Sequence, residues 1–455
     1  MRSFDAIVVG AGQAGPFLAA RMVEKGMKVA LVERKFLGGT CVNAGCMPTK
    51  TLVASARAAH VARRGGEYGV KIPGEIGIDM AVVRQRAQTV IMNARNGLIG
   101  WFDGMDGITV IYGQARFEDA KTITVKGERL TAPRIFLNVG ARPTIPDMPG
   151  IADIDYLTST SIIDLDSLPR HLVVIGGSYI GLEFAQMYRR FGAEVTVVER
   201  GPKLASREDA DISDAIADIL RSEGIAIHTD ADGIAFTKAG GGIKVTIGQS
   251  LPDVEASHVL IATGRVANTD DLGLDVAGVV TDKRGYITVD DKLSTNVEGI
   301  WALGDCNGHG AFTHTSYNDF EIVAANLLDG EDRKLSDRIP AYALYIDPPL
   351  GRVGMTEKQA RASGRKIMIS TRPMSGVGRA NERGETKGFM KVIADAQTQQ
   401  ILGAAILGIE GDEAIHGFIG AMHSGSPYPV LKWAVPIHPT VSELIPTLLG
   451  DLKAV

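Results

Sequence analysis

Phe4-Asp5-Ala6-Ile7-Val8-Val9-Gly10-Ala11-Gly12-Gln13-Ala14-Gly15 is a short apolar run, rich in β-branched residues, that ends in three spaced glycines. The run predicts a strand over 4–9, and the pattern from Phe17 to Lys25 predicts a helix that Gly26 ends. Lys28 to Val32 reads as a second strand with Glu33 at its end, 23 residues after Gly10, and Arg34 next to it. Each glycine has a physical reason. Gly10 permits the tight turn, Gly12 lets a pyrophosphate approach the backbone, and Gly15 lets the helix pack on the strand. The helix N-terminus offers free N–H groups to phosphates, and Glu33 can accept from the hydroxyls of a ribose. A glycine turn alone is an ordinary strand-to-helix connection; strand, helix and spaced acid together predict a dinucleotide site.

The pattern returns 166 residues later. Leu172 to Ile175 is the strand, Gly176-Gly177-Ser178-Tyr179-Ile180-Gly181 the turn, and Glu183 to Arg190 the helix. Gly192 ends it, Glu194 to Val198 is the next strand, and Glu199 again lies 23 residues after the first glycine. Ser178 takes the place of the middle glycine, which sets the pyrophosphate farther out or shifts it onto Gly177. Two dinucleotide sites in one chain point to hydride passing between a nicotinamide and a flavin.

Composition agrees with a large, folded enzyme. The chain has 455 residues, enough for about three domains. Its 45% hydrophobic and 22% charged residues exclude a disordered or fibrous chain. A net charge of −5 without a long basic run argues against nucleic acid or an anionic membrane as partner. No apolar stretch reaches the ~18 residues of a membrane span, and the strand pattern begins too early to leave room for a signal peptide. The expectation is a cytoplasmic protein. Glycine is in excess, 54 of 455 residues, as backbone that closely approaches a ligand would require. Pro143, Pro146, Pro149 and Gly150 form a stiff connection between the two units, and Pro340, Pro348 and Pro349 mark the start of a final segment. Thr237 to Ile243 reads as a hairpin turn. Met390 to Ala394 and Ile401 to Leu407 read as strands, and Glu413 to His423 as a helix.

Between the first unit's acid and a helix predicted over Thr51 to Arg64 lies Gly38-Gly39-Thr40-Cys41-Val42-Asn43-Ala44-Gly45-Cys46-Met47-Pro48-Thr49-Lys50. Two cysteines five apart can bond to each other within a distorted turn. Zinc needs more ligands than are near, since Cys306 is the only other cysteine, and no metal site is expected. A structural disulfide does not suit a reducing cytoplasm. A redox-active pair remains.

With these residues in view, the sequence resembles the pyridine nucleotide–disulfide oxidoreductases, the family of dihydrolipoamide dehydrogenase, glutathione reductase and mercuric reductase. The resemblance runs from residue 4 to about 450. Its most specific piece is the cysteine segment; Ala262-Thr263-Gly264-Arg265, Gly299 to Asp305 and Ile437 to Glu443 also match. It implies an α/β protein with two Rossmann-type domains, for FAD and NAD(P), and a C-terminal α+β dimerisation domain. The expected boundaries are 1–148 and 266–338 for FAD, 149–265 for NAD(P), and 339–455 for dimerisation.

By the same resemblance Asp305, after Gly304, would hold the FAD ribityl chain, with Phe312, Thr313, His314 and Thr315 beside the flavin ring. Gly113 and Ala115 would contact the adenine, and Arg34, Gly39, Thr40, Gly140, Gly264 and Arg265 belong to the expected cofactor-binding set. Cys46 would touch the flavin as a thiolate and Cys41 would exchange with substrate. Lys50 and Glu183 would pair beside the flavin's reactive nitrogen. His438 would be the base for the outer thiol, oriented by Glu443. The expected donor is NADH over NADPH, because Glu199 repels a 2′-phosphate although Arg200 could attract one. The acceptor is a small-molecule or protein disulfide, a metal ion or another oxidant. The chain lacks the C-terminal cysteine pair of mercuric reductases, yet Ser178, Gly304-Asp305-Cys306 and Pro348 to Thr356 look like the mercuric-reductase-like branch. Pro436-Ile437 before His438 departs from dihydrolipoamide dehydrogenases, whose reaction runs from dithiol to NAD+ and is the alternative. A non-catalytic flavoprotein or redox sensor is a further alternative, but a scaffold needs none of Cys41, Cys46, His438 and Glu443. Cys306 reads as a buried small residue more readily than as a third thiol at the flavin. The apolar stretch Leu444 to Leu452 needs a surface to bury it, which the family supplies as the partner in a homodimer with shared active sites.

Overall fold

The computed structural model describes residues 1–248 and 251–455. Ala6–Val9 is the central strand of a parallel sheet whose order is Ile300–Ala302, Ile135–Leu137, Ala6–Val9, Val29–Glu33, Ile108–Tyr112. The second unit repeats it: Leu157–Thr158, His258–Ile261, His171–Ile175, Glu194–Val198, Ala226–His228, all parallel. The registers correspond, Val9 facing Val32 as Ile175 faces Val198. Both turns need their first glycine for the same two reasons. Gly10 and Gly176 have φ of 100° and 114°, and a Cβ there would lie 2.2 Å from the Asn138 carbonyl oxygen and 2.4 Å from that of Ala262.

A smaller, mostly antiparallel sheet flanks each parallel one. Arg2–Ser3, Glu128–Thr131, Thr122–Val125 and Ala115–Asp119 form a four-stranded sheet beside the first unit, and Ile234–Ala239, Gly242–Ile247 and Val254–Ala256 a three-stranded one in the second. The hairpin expected near 237–243 turns between Ala239 and Gly242. The last segment folds into a six-stranded antiparallel sheet ordered Ala341–Leu344, Leu350–Gly354, Ile401–Leu407, Phe389–Asp395, Ile367–Pro373, Lys453–Ala454. No described helix is long and apolar enough to cross a membrane.

Four local expectations are corrected. The helix expected from Thr51 spans Cys46–Arg63, because Pro48 falls in the first turn, where its missing N–H costs nothing. The helix expected from Glu183 begins at Tyr179 and ends at Phe191. The helix expected over 413–423 is two, Gly411–Ala414 and His416–His423, with the Phe418 N–H tightened onto the Ile415 carbonyl at the break. The fourth concerns Leu444 to Leu452. Ile445, Leu448 and Leu449 are buried in the core of their own six-stranded sheet, so the chain covers this stretch without a partner. The apolar residues left exposed precede it: Trp433 at 79%, Val435 at 96% and Ile437 at 80%.

Candidate active site

Cys46 is the first residue of the helix Cys46–Arg63, and Cys41 sits in the short helix Gly39–Ala44 that precedes it. Both are free thiols. Cys41 donates to Cys46, the Thr313 hydroxyl lies 3.1 Å from the Cys46 sulfur, and the Lys50 charge is one turn along the same helix. Against the cost of burial, these hold the Cys46 thiol down at about 6, while the hydrogen bond to Cys46 and burial push Cys41 up. The pair is polarised, one thiol and one thiolate at neutral pH.

Lys50 Nζ lies 2.5 Å from Glu183 Oε2 and 4.4 Å from the Tyr345 ring centre. The other oxygen, Glu183 Oε1, accepts from the Tyr345 N–H at 2.9 Å. Glu183 is buried on the second unit's first helix, so these contacts join the first unit, the second unit and the final segment beside the cysteines.

The two acids expected at the dinucleotide sites are held by matching bonds. Glu33 accepts from the N–H groups of Ala11 and Lys35 at 2.9 and 2.8 Å; Glu199 accepts from those of Gly177 and Gly201 at 2.6 and 2.7 Å. Each partner in the second set lies 166 positions after its counterpart in the first. The loop at Gly39 lies directly against Gly12: a Cβ on Gly39 would be 2.7 Å from the Gly12 Cα. The two loops thus approach backbone to backbone, and the cradle fits a group whose phosphates contact backbone. Gly113 donates its N–H to the Glu33 carbonyl at 2.9 Å, and Ala115 is buried in the adjoining strand. Arg34 pairs loosely with Asp271 at 3.5 Å. The Thr40 carbonyl oxygen would be 2.8 Å from a Cβ on Gly45, Gly140 accepts from the Asn268 N–H, and Gly264 accepts from the Thr144 N–H.

Asp305 lies in the turn Gly304–Asn307, where burial raises its carboxyl even with Arg265 3.4 Å away. Phe312 stacks on Tyr342 with centroids 5.6 Å apart, and Thr315 returns its hydroxyl to the Phe312 carbonyl. The His314 ring meets the Ala341 carbonyl at 2.6 Å. Tyr179 donates to buried Glu208 at 2.5 Å; Ser178 is exposed, Ile180 half-buried. Cys306 is fully buried against the Leu137 and Leu303 carbonyls, and burial pushes its thiol up to about 12.

His438 Nδ1 lies 2.9 Å from Glu443 Oε2. Its side chain is 80% exposed, and among the described residues no hydrogen bond or ion pair joins this dyad to the cysteines. Three further residues escape sequence reasoning. Asn138 bonds both the first glycine turn and the Leu303 carbonyl before Asp305; buried Asp319 accepts from the Gly304 N–H at 2.7 Å and pairs with Arg338; Tyr345 completes the Glu183 site. None belongs to a spaced motif.

Residues 4–319 match the pyridine nucleotide-disulphide oxidoreductase family, and residues 340–449 match that family's dimerisation domain. The probable pyridine nucleotide-disulfide oxidoreductase RclA of Escherichia coli strain K12 is 36% identical over the whole of both chains. A mercuric reductase of Streptomyces lividans is 36% identical over 93% of this chain and 90% of its own. A dihydrolipoyl dehydrogenase of Chlamydia muridarum is 31% identical over 97% and 95%. The structure of the Cu(II) complex of HOCl-induced flavoprotein disulfide reductase RclA from Escherichia coli is similar with a TM-score of 0.91 at 35% identity, covering 99% of each chain.

The polarisation of the cysteines has a direct chemical readout. Alkylation of reduced protein by iodoacetamide, followed by peptide mass spectrometry, is expected to modify Cys46 first, at a rate rising through about pH 6 to a plateau. Lys50→Met removes the nearby positive charge and is expected to move that midpoint upward.

Proposed function

This chain belongs to the pyridine nucleotide-disulphide oxidoreductase family and is an FAD-dependent, NAD(P)H-using oxidoreductase; within it, we propose that Cys46 is the inner sulfur against the flavin and Cys41 the outer thiol that meets the acceptor. FAD would lie on Gly10, Gly12, Gly15, Glu33 and Asp305 of the first unit, 1–148 with 266–338. The nicotinamide nucleotide would lie on Gly176, Gly177, Gly181 and Glu199 of the second, 149–265, and 339–455 would join two chains. When bound, FAD supplies the step that turns hydride from the nicotinamide into two electrons for the disulfide.

The observation that carries this proposal is the asymmetry of the thiols. Opening the disulfide takes two electrons and one proton and leaves Cys41 as thiol and Cys46 as thiolate, the state that the Cys41 donor and the Lys50 charge favour. Glu183 fixes Lys50, so the charge stays beside the sulfur. With His438 Nδ1 on Glu443, its Nε2 is free to take the Cys41 proton. A substrate disulfide accepts the two electrons by thiol exchange and leaves as thiol and thiolate. Two Cu(II) ions accept them as two Cu(I), with re-formation of the Cys41–Cys46 bond and release of one proton. The Cu(II) complex of the RclA relative supports including this ion first among candidate acceptors.

Anaerobic NADH titration of the FAD-loaded protein is expected to develop a long-wavelength thiolate absorbance. Cys46→Ser should abolish it with FAD retained, and Cys41→Ser should show it before any reduction. The opposite pattern would reverse the two assignments.

NADH is the favoured donor. The Glu199 carboxylate, tied by two backbone N–H groups, cannot swing away from a 2′-phosphate. A steady-state comparison is expected to give several-fold higher kcat/KM with NADH than with NADPH, and Glu199→Gln should narrow the gap.

The exposed His438 ring, backed by the largely covered Glu443, implies that His438 serves the cysteines of a second chain in a homodimer. Cys46→Ser and His438→Ala chains, co-expressed and isolated as the heterodimer, would then place both lesions in one site and none in the other. Activity with a disulfide acceptor should return to about half that of the unmodified dimer. A heterodimer that holds FAD in both chains yet stays as poor as its parents would show that the base works within its own chain.

A further inference from the structure

The two dinucleotide units share a backbone arrangement and differ at a buried position beside the glycine turn. In the first, the central strand's neighbour Ile135–Leu137 runs into Asn138; in the second, His258–Ile261 runs into Ala262. The two are equivalent, because each donates its N–H to the end of the central strand, Asn138 to Val9 and Ala262 to Ile175. Each also crowds the first glycine of its turn with its carbonyl oxygen.

Asn138 has a side chain where Ala262 has only a methyl. The Asn138 Oδ1 accepts from the Gly15 N–H at 3.0 Å, at the start of the first unit's helix. Its Nδ2 donates to the Leu303 carbonyl at 2.9 Å and lies 3.5 Å from the Ser316 hydroxyl. The amide is 6% exposed and reaches both loops that face FAD, the glycine turn and the turn that carries Asp305. It also dictates the residue at the middle of the glycine turn. A Cβ on Gly12 would lie 2.8 Å from Asn138 Oδ1, whereas Ala262 reaches no such position and the second unit carries Ser178 there.

We propose that Asn138 is the positioning residue that makes the first site a permanent holder of its nucleotide, and that Ala262 leaves the second site free to exchange. The inference rests on FAD occupying the first unit. With Asn138 in place, the glycine turn cannot move away from the Asp305 turn without stranding a buried amide, which is costly. Release of FAD needs that separation. In the second unit Ala262 has no polar side chain to tie the start of the helix to a facing loop, and Glu199 holds its turn only as Glu33 holds the first, so a nicotinamide nucleotide can enter and leave within each catalytic cycle.

The test measures FAD release rather than turnover. FAD-loaded Asn138→Ala and Asn138→Leu, the second chosen to keep the volume, are diluted and followed by the fluorescence of free FAD. Both are expected to release FAD at least about tenfold faster than the unmodified protein. Release from folded Asn138→Leu at the unmodified rate would overturn the proposal. An unmodified protein that holds no FAD would instead sink the assignment of the first unit.

If neither variant yields a folded holoprotein, the second unit decides. Ala262→Asn is expected to crowd Ser178 and raise the NADH Kd about tenfold, and adding Ser178→Gly should recover the binding. Unchanged NADH affinity in Ala262→Asn, or no recovery in the double variant, would overturn the equivalence of positions 138 and 262.

Discussion

Glu183 gives one oxygen to the Lys50 ammonium and the other to the Tyr345 amide, and at that carboxylate three separately built sheets meet. The contact is the end of a ladder. Helix Cys46–Arg63 and the residue after it carry Lys50, Arg57 and Arg64 at seven-residue intervals, so the three cations lie along nearly one face. Arg57 meets Asp347 at 2.6 Å and Glu385 at 3.0 Å, and Arg64 meets Glu385 at 3.3 Å. Arg190, from the same helix as Glu183, meets Asp347 at 2.5 Å and Glu223 at 2.8 Å. Arg190 and Arg57 hold the Asp347 carboxyl below its usual range in spite of its burial. Such pairs add little net stability compared with apolar packing, but removing one partner strands a buried charge at roughly 3–5 kcal/mol. What they contribute is one allowed arrangement of the three units.

That arrangement sets the chemistry. Lys50 lies four residues after Cys46 on one helix, about 6 Å along its axis, so the charge and the sulfur keep their separation whenever the helix is intact. Cys41 stands on a different, shorter helix and has no cation at an equivalent position. A symmetric pair would share its proton between two sulfurs. Here the hydrogen bond from Cys41 and the Lys50 charge favour the thiolate on Cys46, and the proton stays on Cys41. The interdomain ladder and the thiol asymmetry are therefore one feature: the ladder anchors the helix on which the asymmetry depends.

What the sequence makes legible is whatever local spacing enforces. The glycine turns and their acids follow from a strand, a turn and a helix that must fit within 23 residues, and the cysteines from a pair five apart. Lys50 with Glu183 was legible only through family resemblance, since 133 residues separate them. Asn138 lies 123 residues from its partner Gly15, and Tyr345 lies 162 from Glu183. No periodicity marks such contacts, because chain topology, not spacing, brings the residues together. Hydropathy fails differently at Leu444 to Leu452. It reports that the stretch is buried, but not whether the covering surface belongs to the same chain; the sheet beneath Leu448 answers that.

The most exposed apolar residues of this segment are Trp433, Val435 and Ile437, and His438 follows them directly. Three large apolar side chains, each at least 79% exposed, lose free energy to water as long as the chain is alone. In the proposed dimer their burial drives association, and the same segment carries the base. Association and positioning are then not separate steps. The segment that gains from contact with the second chain would deliver the imidazole there, and the core of the six-stranded sheet behind it, with Ile445 and Leu448 buried, backs the Glu443 carboxylate bonded to the ring. In the proposed dimer the apolar strip would supply the binding energy that fixes the geometry of the His438–Glu443 pair beside it in sequence.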